Sequence, residues 1–330
     1  MSDPNQGFHV PPAPHLIVEP ERKRPAGLMW AGIALFVIGI VVVGLGIPGL
    51  IVGGFGTGGV LCLLGILLFA FSFIRLPAVP DPPPRMSTAS TLTGIFFEPT
   101  SVFRNLRAHP QWLAALLIIG VLNAAYITVF TRRLTPERIV NFTADKLAET
   151  PLFAQAAEQA RTQGLAQAKA VTFQVGAAVK AFASPFFGVA FIAALCLLGV
   201  LVFGGRMHYW QSFAVVAYVN LAFVVIEKVI SFVILFIKSP EDIHPLLGQE
   251  TLVTDNLGFF VAAKDHPILF VIATSIGVLS FYRLWLTATG LREGGYKVSK
   301  GAGWGVALTL FVLFLLLGIA SAAVFGNFLG

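Results

Sequence analysis

The chain has 330 residues, 56% of them hydrophobic and only 12% charged, with a mean hydropathy of +0.83 and a formal charge of +6. A soluble domain carries about a quarter of its residues as Asp, Glu, Lys and Arg, so half that density excludes a surface that mostly faces water. A soluble α/β enzyme, a disordered chain and a disulfide scaffold are ruled out, the last because Cys62 and Cys196 each stand inside an apolar run. The stretches 25–74, 108–131, 181–205, 207–226, 266–282 and 301–330 hold no Asp, Glu, Lys or Arg and make up half the chain. A membrane span needs about 20 apolar residues, so the fold class is an all-α, polytopic membrane protein.

Residues 1–26 read as a disordered, proline-rich cytoplasmic tail ending in Arg22-Lys23-Arg24. No cleavable signal is expected, because the apolar stretch that follows is too long for a signal core. That stretch holds two spans, 27–47 and 51–74, turning at Pro48-Gly49; proline disturbs a continuing helix. Residues 27–75 are therefore a glycine-rich hairpin. Gly49…Gly53 and Gly54…Gly58 are GxxxG spacings, which let helices approach closely, either within the hairpin or between two copies. The Pro/Ser/Thr segment 76–93 follows as a stiff, extended linker.

Five more spans are expected at 111–131, 184–205, 209–237, 267–288 and 303–326, seven in all. Thr135-Pro136-Glu137 and Thr150-Pro151 look like helix starts, so the long loop 132–182 reads as two short helices on the outer side. With the N-terminus inside, the inner segments hold twelve Lys and Arg and the short outer ones only Lys238 and Lys264. Cytoplasmic loops collect such residues, which places the N-terminus in the cytoplasm and the C-terminus outside.

The segment Gly94-Ile-Phe-Phe-Glu-Pro-Thr-Ser-Val-Phe-Arg-Asn-Leu-Arg-Ala-His109 resembles the short interfacial opening of a Yip (Ypt-interacting protein) domain. Phe203-Gly-Gly-Arg-Met-His-Tyr-Trp-Gln-Ser-Phe-Ala-Val-Val-Ala-Tyr218 is similar to that family's loop and span entry. Leu284-Trp-Leu-Thr-Ala-Thr-Gly-Leu291 and Lys300-Gly-Ala302 resemble its late segments. The likeness covers 94–326 and leaves 1–93 outside. One departure is Asn220, where relatives often carry a proline. The resemblance implies a five-span bundle behind a cytoplasmic N-terminal side, of the bacterial type. In eukaryotic relatives it implies links to Rab-type GTPases, vesicle traffic and membrane shaping. It carries over no functional residue.

Glu227-Lys228 is the one charged pair inside an apolar run. Neighbours point about 100° apart on a helix, so the two are not expected to satisfy each other. Asn220 lies at i, i+7 from Glu227, and with Lys228 the three form a candidate polar seam. Arg283, between Tyr282 and Trp285, reads as an aromatic-belt anchor at the inner end of the sixth span. Arg104 and Arg107, with Val102, Phe103 and Leu106, make a basic amphipathic turn. These three arginines are candidate lipid-interface residues.

Other motifs lack their context. Gly54-Phe-Gly-Thr-Gly-Gly59 matches GxGxxG, but it lies in an apolar span with no preceding strand. The six histidines show no zinc spacing, although Glu241, Asp242, His244, Asp265 and His266 share one loop. Asn141-Phe-Thr143 is a sequon without meaning in a bacterial host. No catalytic motif, cofactor, metal or nucleic-acid partner is expected. The reading is a non-enzymatic scaffold that organises the bilayer or binds a cytoplasmic protein or a second copy, with a small-solute or ion transporter as the alternative, in a bacterial inner membrane.

Overall fold

The computed structural model describes residues 26–75, 82–149 and 153–326. The proline-rich tail, its Arg22-Lys23-Arg24 cluster and the 76–81 part of the linker lie outside them. The described residues form helices and connecting turns, with two isolated backbone bridges, Arg206 to Tyr296 and Asn256 to Gly277.

The hairpin is α1 (Ala26–Gly46) and α2 (Gly54–Phe71). Its turn relies on Gly49 and Gly53, both at positive φ (80° and 74°), where a side chain would be strained. Three glycines seven apart on α1 meet backbone on α2. A Cβ at Gly32, Gly39 or Gly46 would stand within 2.7 Å of the nitrogen of Phe69, Cys62 or Phe55. On α2, Gly54 and Gly58 face Gly46 and Gly39 in return. Packing of this closeness substitutes for the hydrophobic effect, which does not act between helices in lipid.

The linker ends where Ser87 caps α3 (Thr88–Phe97); Glu98 then turns the chain into α4 (Pro99–Ala108). Asn105 holds the base of this pair by accepting from the Met86 amide and donating to the Pro84 carbonyl. Next come α5 (Leu113–Leu134), α6 (Pro136–Ala148), α7 (Ala154–Ala168), α8 (Val171–Val202) and α9 (Tyr209–Ile237). The fourth span was expected from residue 184. It begins at Val171, because α8 runs through Pro185 without ending there.

A single turn, α10 (Leu247–Glu250), precedes α11 (Pro267–Ser275), α12 (Val278–Gly294) and α13 (Lys300–Phe325). The expected sixth span, 267–288, is thus two helices rather than one. The break at Ile276-Gly277 is held by the preceding loop: the Leu257 amide donates to the Ile276 carbonyl, and Asp255 Oδ2 accepts from the Leu279 amide at 2.6 Å. Among the described residues six helices, α1, α2, α5, α8, α9 and α13, are long and apolar enough to cross a membrane.

The core joins the hairpin to the rest. Phe71 of α2 meets Trp112, Tyr209, Trp210 and Phe213, and Trp112 stacks on Trp210 at 5.6 Å. The Trp210 indole N–H, fully buried, donates to the Ile74 carbonyl; a buried indole needs such a partner. A second cluster, Tyr126, Phe130, Leu134, Leu235 and Ile243, fastens the 238–252 loop to α5 and α9.

Candidate functional site: a cavity lined by Arg283

Between α8, α9, α11, α12 and α13 lies a partly open cavity of about 680 Å³. Helix periodicity explains which residues line it: Val216, Val219, Asn220 and Phe223 on α9, and Ser280, Arg283 and Thr287 on α12, each set on one helix face. Val271, Thr274 and Ser275 close it from α11, and α13 supplies an apolar wall.

Arg283 Nη2 donates to Asn220 Oδ1 at 3.1 Å, and its guanidinium sits 5.2 Å from the centre of the Phe223 ring. Asn220 is eleven residues into α9, about 16 Å along the axis. Arg283 is eleven residues from the end of α12, again about 16 Å. Both residues therefore stand about three turns in from a helix end. The sixth span was expected to end near residue 288, whereas α12 continues to Gly294.

Glu227 and Lys228 lie farther out on α9. Lys228 Nζ is 3.6 Å from Glu227 Oε1, donates to the Glu250 carbonyl and lies 4.5 Å over the Tyr126 ring. The two side chains therefore do meet, contrary to expectation. Long side chains converge where the 250–251 loop closes over them, even though their Cβ atoms diverge. Both are buried, 9% and 6% exposed. Asn220 lines the cavity and Glu227 does not, although the Glu227 charge acts on Arg283, Asn220's partner.

Of the candidate interface arginines, Arg104 bonds Glu293 Oε2 through Nε at 2.7 Å with its side chain 61% exposed. Arg107 lies 5.4 Å over the Tyr296 ring. The apolar face of α4, Val102, Phe103 and Leu106, is fully buried in the core, while Phe97 at the α3–α4 corner is 84% exposed. Phe97, Glu98, Arg104 and Trp285 of α12 line one shallow groove there.

In the 238–252 loop, His244 Nδ1 accepts from the Leu246 and Leu247 amides, and Phe142 packs edge-on to the ring at 4.9 Å. Burial, and secondly the charge of Lys146, hold this imidazole below its ordinary range. Among the described residues no three His, Cys, Asp or Glu side chains converge as a metal site. Sequence reading placed Asn220 and Arg283 in different hypotheses. Only α12's late start and end bring them together, and no spacing along the chain signals that.

The Yip1 domain profile matches residues 93–322. The chain belongs to the Yip1 domain family. The Yip1 domain thus takes in the α3–α4 pair, the cavity and nearly all of α13, and the α1–α2 hairpin precedes it. With its apolar helices, this Yip1 domain protein is a multi-pass integral membrane protein suited to a lipid bilayer. No curated protein and no solved structure matches the chain.

Proposed function

We propose that this Yip1 domain protein is a non-enzymatic, membrane-organising scaffold of a bacterial inner membrane, with its N-terminus in the cytoplasm and its C-terminus outside. The observation that carries the reading is the α3–α4 corner. Phe97, 84% exposed, and Trp285, 42% exposed, stand beside Arg104 on one side of the bundle. The exposed rings of Phe97 and Trp285 enter the lipid, and Arg104 and Arg107 meet the anionic leaflet's phosphates. A helical pair fastened to the bundle at its base and apolar at its corner displaces lipid in one leaflet only, which bends the membrane. The proline-rich cytoplasmic segments supply a dock for a soluble protein.

Reconstitution into vesicles containing anionic lipid tests this. The full chain reduces vesicle radius in cryo-electron micrographs, and Phe97→Ser restores the radius of empty vesicles without changing the amount incorporated. Identical radii for wild type and variant would end the wedge reading. Proximity labelling in cells should also recover a reproducible cytoplasmic partner, and recovery of random membrane neighbours alone counts against a scaffold.

A second reading, small-solute or ion transport, is favoured by the cavity at Asn220 and Arg283. It requires a flux that Asn220→Leu or Glu227→Gln abolishes. Unchanged flux in both variants removes it.

A further inference from the structure

We propose that the cavity binds an amphiphile with an acidic headgroup, the acid on Arg283 and the acyl chain along the apolar walls. The proposal stands independently of the leaflet-wedge reading, which rests on the opposite side of α12's Arg283–Trp285 turn.

A charged residue inside a membrane-spanning bundle is expensive and marks function by default. Arg283 has five N–H donors, and the acceptor described for its side chain is the single neutral oxygen of Asn220. Among the described residues no carboxylate lies within 4 Å of it, and Glu227, paired with Lys228, acts on it only electrostatically, without a direct bond. The Phe223 ring holds the guanidinium from its face, a contact that fixes its plane and leaves edge donors open. An acid group is the partner that a planar fork of N–H donors matches best.

The remaining lining says what the acid is attached to. Ser280 and Thr287 flank Arg283 one turn away on each side, giving hydroxyls at headgroup range. The rest of the wall includes Val216, Val219, Phe311 and Phe314, which offer nothing to a hydrated inorganic ion and suit a hydrocarbon chain. Ligand cavities run to about 300–1,000 Å³ with mostly apolar walls and a few placed polar groups, and this one, at about 680 Å³, has that character. Glu250 also lines it. Its position, where Lys228 bonds its carbonyl, lies toward the outer end of α9, so a second acid is repelled from there and the ligand's acid is directed to Arg283.

Two sources carry this chemistry, a free fatty acid and an anionic membrane lipid. The full chain in nanodiscs is labelled with a diazirine-bearing fatty acid, and palmitic acid and phosphatidylglycerol are added as competitors. Labelling on cavity-facing peptides of α9, α12 or α13 that falls by about tenfold or more in Arg283→Gln supports the site; such a factor corresponds to losing one hydrogen bond to a charged group. Competition by palmitic acid assigns a fatty acid, and competition by phosphatidylglycerol assigns a membrane lipid. Ser280→Trp, which fills the cavity and keeps Arg283, gives the same loss and guards against misfolding of the charge variant. Labelling unchanged by both substitutions, or confined to the lipid-facing α1, overturns the proposal.

Discussion

Arg283 on α12 reaches Asn220 on α9 across 3.1 Å, and this bond ties two helices together at the cavity floor. It replaces water for a charge that the bilayer cannot solvate. In a double-mutant cycle of Asn220→Leu and Arg283→Met, followed by thermal unfolding in bicelles, the coupling energy is about 1 kcal/mol, within the range for polar pairs between membrane helices. A cycle that closes to zero shows that the two side chains do not interact.

The hairpin makes a sharper steric test. A Cβ on Gly58 would meet the Gly39 carbonyl oxygen at 2.6 Å and the Val43 nitrogen at 2.7 Å. Backbone cannot move aside as a side-chain tip does, so Gly58→Ala destabilises the hairpin by about 1–3 kcal/mol. Its neighbour Gly59 has nothing within 4 Å of a new Cβ, and Gly59→Ala is neutral or slightly stabilising because alanine is the better helix former. Equal behaviour of the two variants contradicts the described face of α2.

Asp255 caps a helix that starts inside the bundle. Its Oδ2 takes the Leu279 amide at the positive end of α12, where a carboxylate is favoured by the helix dipole as well. Asp255→Ala costs about 0.5–2 kcal/mol and raises hydrogen exchange at the first amides of α12. Exchange unchanged at Leu279 indicates a different cap.

The 238–252 loop responds to pH through His244. Its Nδ1 accepts two backbone amides, so the neutral ring carries its proton on Nε2, and a second proton has to displace those amides. Burial, then the Lys146 charge, lowers the folded value below the ordinary 6.5. Between those values the unfolded loop takes up a proton that the docked loop refuses, so stability rises with pH there. Docking is complete above about 6.5 and weakens as pH falls from 6.5 through the folded value. Exchange at the Leu246 and Leu247 amides therefore accelerates on acidification, and His244→Gln flattens that dependence.

Much of the fold was legible because its signal is compositional. Charge-free runs located the six long apolar helices, and Thr135-Pro136 foretold the start of α6. The glycine spacings on α2 were visible, whereas the seven-residue row Gly32, Gly39 and Gly46 on α1 gained meaning only when its backbone neighbours were known. The break at Ile276-Gly277 was not legible. Residues 267–282 carry no charge, and the bonds that interrupt the helix come from Asp255 and Leu257 in the preceding loop. The cavity that α11 and α12 enclose with Asn220 and Arg283 was hidden with it.

The central proposal is that α12, which begins at Val278, carries Arg283 into the middle of the bilayer. A nitroxide on Phe281, which is 61% exposed on the outer surface of α12, reports depth while leaving Arg283 in place. In nanodiscs its collisions with oxygen should far exceed those with a water-soluble nickel chelate, matching a mid-bilayer position. Nickel collisions as frequent as those of a label at Arg292 would place Arg283 at the headgroups and contradict the account.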